Sequence, residues 1–203
     1  MTTRLTLLCA VAPAGREVRF GDAEPDARDL RRVPPLAASL PASGDRLTAP
    51  SQRCRRTAEA LGWRTAVVEP ALRDMDMGGW SGRTPDEVVT ADATAFAAWL
   101  SDPEAVPHGG ESVADVCRRV AAWIESLPSD AGRLPAVVEQ AVARAAVLFA
   151  LSAPPESFWR VDVPPLSAVR LTGRAGRWNL RLEPAFGEGT APGEDPEEDG
   201  GTG

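Results

Sequence analysis

Short apolar segments alternate with segments of helical periodicity along most of this chain, and this alternation restricts the fold more than any other feature. Strands are predicted at residues 4–9, 46–48, 65–68, 135–138, 161–163, 167–172 and 178–182. Helices are predicted at residues 51–61, 84–100 (with a break), 112–127 and 141–151. Strands that alternate with helices form a mostly parallel sheet with helices on both faces. The sequence therefore predicts an α/β fold, a three-layer sandwich.

The acidic residues are unevenly distributed along the 203 residues of the chain. Residues 185–203 hold six acids and no base among many Gly and Pro residues. Such a composition predicts a disordered acidic tail. The formal charge of the whole chain is −7, and removing these six acids leaves −1 for residues 1–184, the predicted folded domain. A nearly neutral domain without a basic stripe argues against nucleic acid as a partner.

The apolar segments and the cysteines indicate the cellular compartment in which the protein is expected. The longest apolar run, residues 145–151, is too short to cross a membrane, and the first residues lack the pattern of a signal peptide. Three scattered cysteines have no metal-ligand spacing and predict a reduced, cytoplasmic location. We therefore expect no membrane partner, no metal and no cofactor, and the sequence leaves the oligomeric state open.

Five segments, in order along the chain, carry a resemblance to a known family. They are residues 4–8 (RLTLL), 49–58 (APSQRCRRTA), 72–82 (LRDMDMGGWSG), 107–112 (PHGGES) and 154–160 (PPESFWR). Together they resemble the histidine phosphatase (phosphoglycerate-mutase-like) superfamily. The resemblance covers the chain from Arg4 to about Leu182 and implies the fold of that superfamily, an α/β sandwich.

The resemblance also implies a site, in which a histidine attacks phosphorus while arginines and a second histidine hold the phosphoryl oxygens. The attacking histidine of the family falls on Ala10, and the arginine before it falls on Cys9. The second histidine falls on Glu139, or on Gln140 after a slip of one residue. Arg53 matches a phosphate-binding arginine, and Asp74 matches the general acid.

These positions, together with the single histidine of the chain, predict a degenerate family member. Because Ala10 carries no lone pair, the covalent route of the family is lost, and we expect a protein that is not a phosphatase. The cleft would then bind a small metabolite or serve regulation. The residues expected to contact that ligand are Arg53, Cys9, Ala10, His108 and Gln140.

An alternative is an enzyme of another class (an isomerase, cyclase, lyase or non-phosphate hydrolase), with specialised metabolism as its setting. In it the carboxyl groups of Asp74 and Glu139 move protons, and Arg53 stabilises an oxyanion. Two narrower alternatives stay open. The thiolate of Cys9 would be a nucleophile if Arg53 lowered its pKa, or phosphatase activity would be rebuilt around His108. Arg144 is expected to pair at the surface.

Overall fold

A six-stranded sheet forms the centre of the protein, in a computed structural model that describes residues 2–41 and 44–182. The strands are β1 (Thr3–Cys9), β2 (Leu47–Thr48), β3 (Val67–Val68), β4 (Arg133–Val138), β5 (Ala168–Arg174) and β6 (Arg177–Arg181). Their order across the sheet is β3-β2-β4-β1-β5-β6. The first four are mutually parallel, whereas β5 and β6 are antiparallel additions at one side. The predicted mostly parallel sheet is confirmed.

Within the described ranges, six α-helices lie between the strands. They are α1 (Ala27–Arg32), α2 (Gln52–Ala60), α3 (Pro85–Ala91), α4 (Ala93–Ser101), α5 (Val113–Ser126) and α6 (Gln140–Leu151). The connections from β1 to β2 and from β2 to β3 run toward one edge of the sheet, and those from β3 to β4 and from β4 to β5 run back. Right-handed crossovers between the parallel strands place α1 and α2 on one face and α5 on the other, and α6 packs against α5 on that second face. This is the expected α/β sandwich.

Helix α5 shows how the local sequence determines an element. The Ser112 hydroxyl accepts a hydrogen bond from the backbone N–H of Asp115 (3.0 Å), and the Asp115 carboxylate accepts one from the N–H of Ser112 (3.1 Å). This capping box satisfies two N–H groups that the first turn leaves without partners. Val116, Val120 and Ile124 recur at helical spacing and are fully buried. The capping and the periodicity together predict the start and the buried face of this helix.

Two predicted strands differ in the structure, whereas the predicted break in one helix is present. Residues 161–163 are not a strand, because the chain leaves a 3-10 helix at Arg160 and soon reaches two prolines, which cannot donate to a ladder. β3 is shorter than residues 65–68, and as the edge strand it leaves Val67 and Val68 59% and 43% exposed. The break in the helix at 84–100 occurs at Asp92, which ends α3 and caps α4. The predicted acidic tail, residues 185–203, lies outside the described residues.

Candidate active site

A cavity of about 380 Å³ opens where the carboxyl ends of β1 and β4 lie side by side. The helix after β1 and the helix after β4 lie on opposite faces of the sheet, so a crevice forms between these two strands. Cys9 and Ala10 line it from the end of β1, and Glu139, Gln140 and Ala141 line it from the end of β4 and the start of α6. The remaining walls include Arg53, Asp74, Trp99, Arg144, Phe158 and Trp159.

Glu139 is the buried acid of this cavity, with a side chain that is 2% exposed. One carboxylate oxygen accepts a hydrogen bond from the Ser51 hydroxyl at 2.6 Å, and the other pairs with Nη2 of Arg53, also at 2.6 Å. Ser51 caps the N-terminus of α2 and fixes where that helix begins. Arg53, in the first turn of α2, therefore lies close to the end of β4. Glu139 therefore joins the two sides of the crevice.

Asp74 brings a second carboxyl group to the cavity from the loop after β3. Burial raises its pKa, the negative charge of Glu139 raises it further, and together they bring it to about 7. A hydrogen bond from the backbone N–H of Met75 and the charge of Arg53 act in the opposite direction. The two carboxyl groups thus differ in environment, since Glu139 is ion-paired and Asp74 retains a proton up to neutral pH.

Arg53 is held with 15% of its side chain exposed. Its Nη2 bonds to Glu139, while its Nε is buried and has no hydrogen-bond partner among the described residues. The indole N–H of Trp99, on another wall of the same cavity, also lacks an acceptor within the described part of the chain. Buried donors are rarely left unsatisfied in proteins, so these two N–H groups are exceptions in residues that line the cavity.

Arg144 supplies a second guanidinium group, which the sequence analysis placed at the surface. The structure corrects this, because Arg144 lines the cavity and donates from Nε to the carbonyl oxygen of Val161 at 2.8 Å. Its guanidinium carbon lies 5.7 Å from the ring centre of Phe158 and 5.5 Å from that of Trp159. These rings orient a cation by cation–π attraction. The predicted helix at residues 141–151 includes Arg144, but the sequence gives no sign that the rings of Phe158 and Trp159 lie against it.

Cys9, Ala10 and Gln140 all lie at the cavity, as the sequence analysis placed them. Ala10 is buried, donates from its backbone N–H to the carbonyl of Val138 at 2.9 Å, and offers no reactive atom. Cys9 is also buried, and burial, reinforced by the charge of Glu139, raises the pKa of its thiol to about 12. The charge of Arg53 does not offset this effect. The raised pKa therefore argues against the alternative of a Cys9 thiolate as nucleophile.

A thiol-modification experiment checks this conclusion. A pKa of about 12 instead of the ordinary 9.0 lowers the thiolate fraction at pH 8 by about 10³. We expect Cys9 in the native protein to be alkylated by iodoacetamide about 10³-fold more slowly than in the urea-denatured protein, as followed by peptide mass spectrometry. Cys117, which is only partly buried, serves as the internal comparison. Equal rates for Cys9 in the native and denatured protein would contradict the assigned burial.

His108 does not line the cavity, although the sequence analysis named it as a ligand contact. Its Nδ1 accepts a hydrogen bond from the N–H of Gly110 at 3.1 Å, and its ring packs against Trp80, with ring centres 5.1 Å apart. Burial lowers the pKa of His108, which favours the neutral ring. His108 therefore serves the packing of its loop, and the alternative of phosphatase chemistry rebuilt around it has no geometric support.

The loop of His108 and the loop of Asp74 are joined through their backbones. The N–H of Gly79 donates to the carbonyl of His108 and the N–H of Glu111 donates to the carbonyl of Asp76, each at 2.8 Å. Gly78 has a positive φ of 45°, and a Cβ there would collide with the carbonyl oxygen of His108. The close approach of the two loops therefore requires glycine at this position.

Within residues 2–41 and 44–182, no group of three or more His, Cys, Asp or Glu side chains is placed to hold a metal ion. None of the helices in those ranges has the length and apolar character needed to cross a bilayer.

Comparisons with known proteins identify the family. The model of the histidine phosphatase superfamily (branch 1) matches residues 26–183. The glucosyl-3-phosphoglycerate phosphatase of Mycolicibacterium vanbaalenii is 38% identical over 106 residues, which are 49% of this chain and 47% of the relative. The adenosylcobalamin/alpha-ribazole phosphatase of Salmonella typhimurium is 34% identical over 99 residues, 47% of this chain and 49% of the relative. The matched part thus spans about half of each relative.

Solved structures agree on the fold. The mycobacterial glucosyl-3-phosphoglycerate phosphatase superposes with a TM-score of 0.76 and 22% identity, covering 90% of this chain and 98% of that structure. The alpha-ribazole phosphatase from Shigella flexneri has a TM-score of 0.76 and 23% identity, covering 88% of this chain and 95% of that structure. At such identities the likeness establishes the fold alone.

The relatives also correct the function predicted from the sequence. We expected a ligand-binding or regulatory protein without phosphatase activity or, as the alternative, an enzyme of another class in specialised metabolism. The relatives described above are named as phosphatases, and both predictions are therefore wrong. The fold, the order of the five segments and the family model lead to one conclusion: this chain belongs to the histidine phosphatase superfamily.

Proposed function

We propose that this chain hydrolyses a phosphate monoester of a small organic alcohol in the cavity at the ends of β1 and β4. One observation carries the proposal: Asp74, a carboxyl group that retains its proton up to about pH 7, lines the same cavity as the guanidinium groups of Arg53 and Arg144. The names of the relatives, glucosyl-3-phosphoglycerate phosphatase and alpha-ribazole phosphatase, support phosphate esters as the substrate class.

The phosphoryl group would bind between the two guanidinium groups and the start of α6. Arg53 has an unpartnered Nε, and the guanidinium of Arg144 retains N–H groups beyond the one bonded to Val161. Gln140 and Ala141 line the cavity at the first turn of α6, where backbone N–H groups have no intrahelical acceptor. A dianionic phosphoryl group would satisfy these donors and neutralise both arginines.

Asp74 would act as the general acid. Cleavage of the ester bond leaves negative charge on the oxygen of the alcohol, and a nearby acid that is still protonated at the working pH can neutralise it. The burial that raises the pKa of Asp74 to about 7 supports this role. The alcohol then leaves carrying the proton of Asp74.

The nucleophile in this proposal is water. Ala10 has no atom that can attack phosphorus, and the thiol of Cys9 keeps its proton because its pKa is about 12. When the phosphoryl oxygens take over the pairing with Arg53, the carboxylate of Glu139 would accept a proton from the attacking water. An oxygen–phosphorus bond then forms from water as the ester bond breaks, and the products are the alcohol and inorganic phosphate.

Release of inorganic phosphate from a panel of sugar and heteroaromatic phosphate monoesters tests the proposal. The Arg144→Gln variant is expected to lower kcat/KM by about 10- to 100-fold, because a charged hydrogen bond to the phosphoryl group is worth about 1.5–3 kcal/mol. Arg118→Gln, which removes an exposed guanidinium from α5 away from the cavity, is the matched control and is expected to keep wild-type kinetics. No release of phosphate from any ester, or equal activity in both variants, would overturn the proposal.

We further propose that the protein acts on its small-molecule substrate in the cytoplasm. All three cysteines are free, which supports a reducing compartment. Cell fractionation with an antibody against the chain tests this location, and recovery outside the cytoplasmic fraction would refute it.

A further inference from the structure

One face of the sheet carries a cluster of arginines at the end remote from the cavity. In the strand register, Arg4 lies opposite Arg133 on one side and opposite Thr172 on the other, and Arg170 lies opposite Arg181. Directly opposed residues point to the same side of a sheet. Six arginines therefore share this side, which we call the arginine face: Arg4, Arg133, Arg170, Arg174, Arg177 and Arg181.

The arginine face is open to solvent. Its opposite side buries Leu5 and Leu171 beneath α6, whereas on the arginine face all six arginines but Arg170 are exposed. A groove of about 270 Å³ crosses it, lined by Arg4, Arg133, Arg170 and Arg181 together with Ser39, Leu40 and Pro41, and without a carboxylate. Arg170 donates to the carbonyl of Ser39 at 3.0 Å.

Five of these arginines form no ion pair with the described residues. Of the ion pairs formed within residues 2–41 and 44–182, none involves Arg4, Arg133, Arg174, Arg177 or Arg181. Burial and then the neighbouring charge of Arg181 lower the pKa of Arg170, as expected where like charges crowd together. A concentration of one sign of charge on an open groove attracts an oppositely charged partner.

The chain itself supplies a suitable partner immediately after β6. Residues 185–203, the acidic segment, contain six acids and no base, and they begin four residues after Arg181. A chain of this length reaches about 60 Å when extended, while the four strands from β4 to β6 span only about 15 Å. The length of the acidic segment, its starting point after β6 and its negative charge are therefore all compatible with binding in the groove.

We propose that the acidic segment of residues 185–203 binds to the arginine face of its own chain and neutralises it. The recognition is between carboxylates and guanidinium groups, in which each arginine can hold a carboxylate through paired hydrogen bonds. This binding of the acidic segment is independent of the proposed catalysis, since the groove lies at the amino ends of β1 and β4 and the cavity lies at their carboxyl ends.

Cross-linking in the full chain tests the proposal, because the sequence contains no lysine. In Arg133→Lys and, separately, in Arg181→Lys, the introduced ammonium keeps the charge and is the sole side-chain amine. A carbodiimide then joins it directly to a carboxylate in contact with it. We expect peptides that link each introduced amine to residues 185–203, and we expect them to disappear in 1 M salt, where the screening length falls to about 3 Å.

The matched control is Arg64→Lys, which places the amine at an exposed position near the opposite edge of the sheet. We expect no link from that position to the acidic segment. The proposal is overturned if neither position 133 nor position 181 links to residues 185–203, or if position 64 links equally well. It is also overturned if a mixture of isotopically labelled and unlabelled chains gives links between different copies, since the occupant would then be a second molecule.

Discussion

The variant Glu139→Ala is expected to lower the free energy of unfolding by about 3 kcal/mol, the largest stability loss that we expect from a single change at the cavity. Removing the carboxylate leaves the guanidinium of Arg53 largely buried without its charged partner, and it leaves the Ser51 hydroxyl without its acceptor. The loss falls at the low end for a broken buried pair, because Asp74 ionises more readily once the charge of Glu139 is gone. Urea unfolding followed by circular dichroism measures the change.

A second ion pair provides the comparison. Arg56 and Glu59, which both lie in α2, form an ion pair at 2.9 Å with more than half of each side chain exposed. Glu59→Ala should cost at most about 0.5 kcal/mol, since exposed pairs contribute little. If Glu139→Ala costs no more than Glu59→Ala, the buried pair does not contribute to stability as we infer.

The variant Asp74→Asn is expected to change stability in a manner that depends on pH. The pKa of Asp74 is raised from 3.8 to about 7 in the folded protein. Between these two values the unfolded chain releases the proton while the folded chain keeps it, so the wild type loses about 1.4 kcal/mol per pH unit as the pH rises. Above pH 7 the loss is complete. Asparagine carries no such proton and avoids this loss.

The measured quantity is the difference in unfolding free energy between Asp74→Asn and the wild type. It should grow in favour of the variant by about 3 kcal/mol from pH 5 to pH 8, because the wild type declines over about two units of that interval. Asp86→Asn, on the exposed side of α3, controls for the loss of one acidic residue. A difference that stays constant with pH would show that the carboxyl group of Asp74 is not held in its neutral form.

The same variant is expected to lose activity while it gains stability at high pH. Without the proton of Asp74, kcat/KM for a phosphate monoester should fall by about 10² to 10⁴. In the wild type, kcat/KM should decline as the pH rises above about 7, where Asp74 loses its proton. A variant that keeps wild-type kcat/KM would remove Asp74 from the proposed chemistry, whatever its effect on stability.

Local signals in the sequence predict much of the fold. The Ser112 and Asp115 capping box and the apolar spacing that follows it indicate α5 correctly, because a helix cap and a buried face are encoded within a few turns. Residues 161–163 show the limit of such signals. They have strand-like composition, but a strand needs a partner at the right distance, and the neighbouring prolines withhold N–H donors there.

The sequence pointed to several residues of the cavity, but it misplaced His108 and Arg144 and did not indicate how the groups interact. The resemblance pointed to Arg53, Asp74 and Glu139, and the folded chain brings these three residues to one cavity, although Arg53 and Glu139 are 86 residues apart in sequence. The position of Arg144 depends on the rings of Phe158 and Trp159, which only the folded chain brings to it. The protonation of Asp74 likewise depends on burial and on the field of Glu139, neither of which a sequence displays.

The backbone contacts between the Asp74 loop and the His108 loop bear on which positions can vary during divergence. Main-chain hydrogen bonds hold these loops together, so the position of the carboxyl group of Asp74 depends on the backbone path of both loops as well as on the side chains packed along them. Gly78 and Gly110 are required by this path, because any side chain at either position would strike the opposing main chain. Replacing either glycine would displace the carboxyl group of Asp74, although the sequence would still contain every polar residue of the cavity.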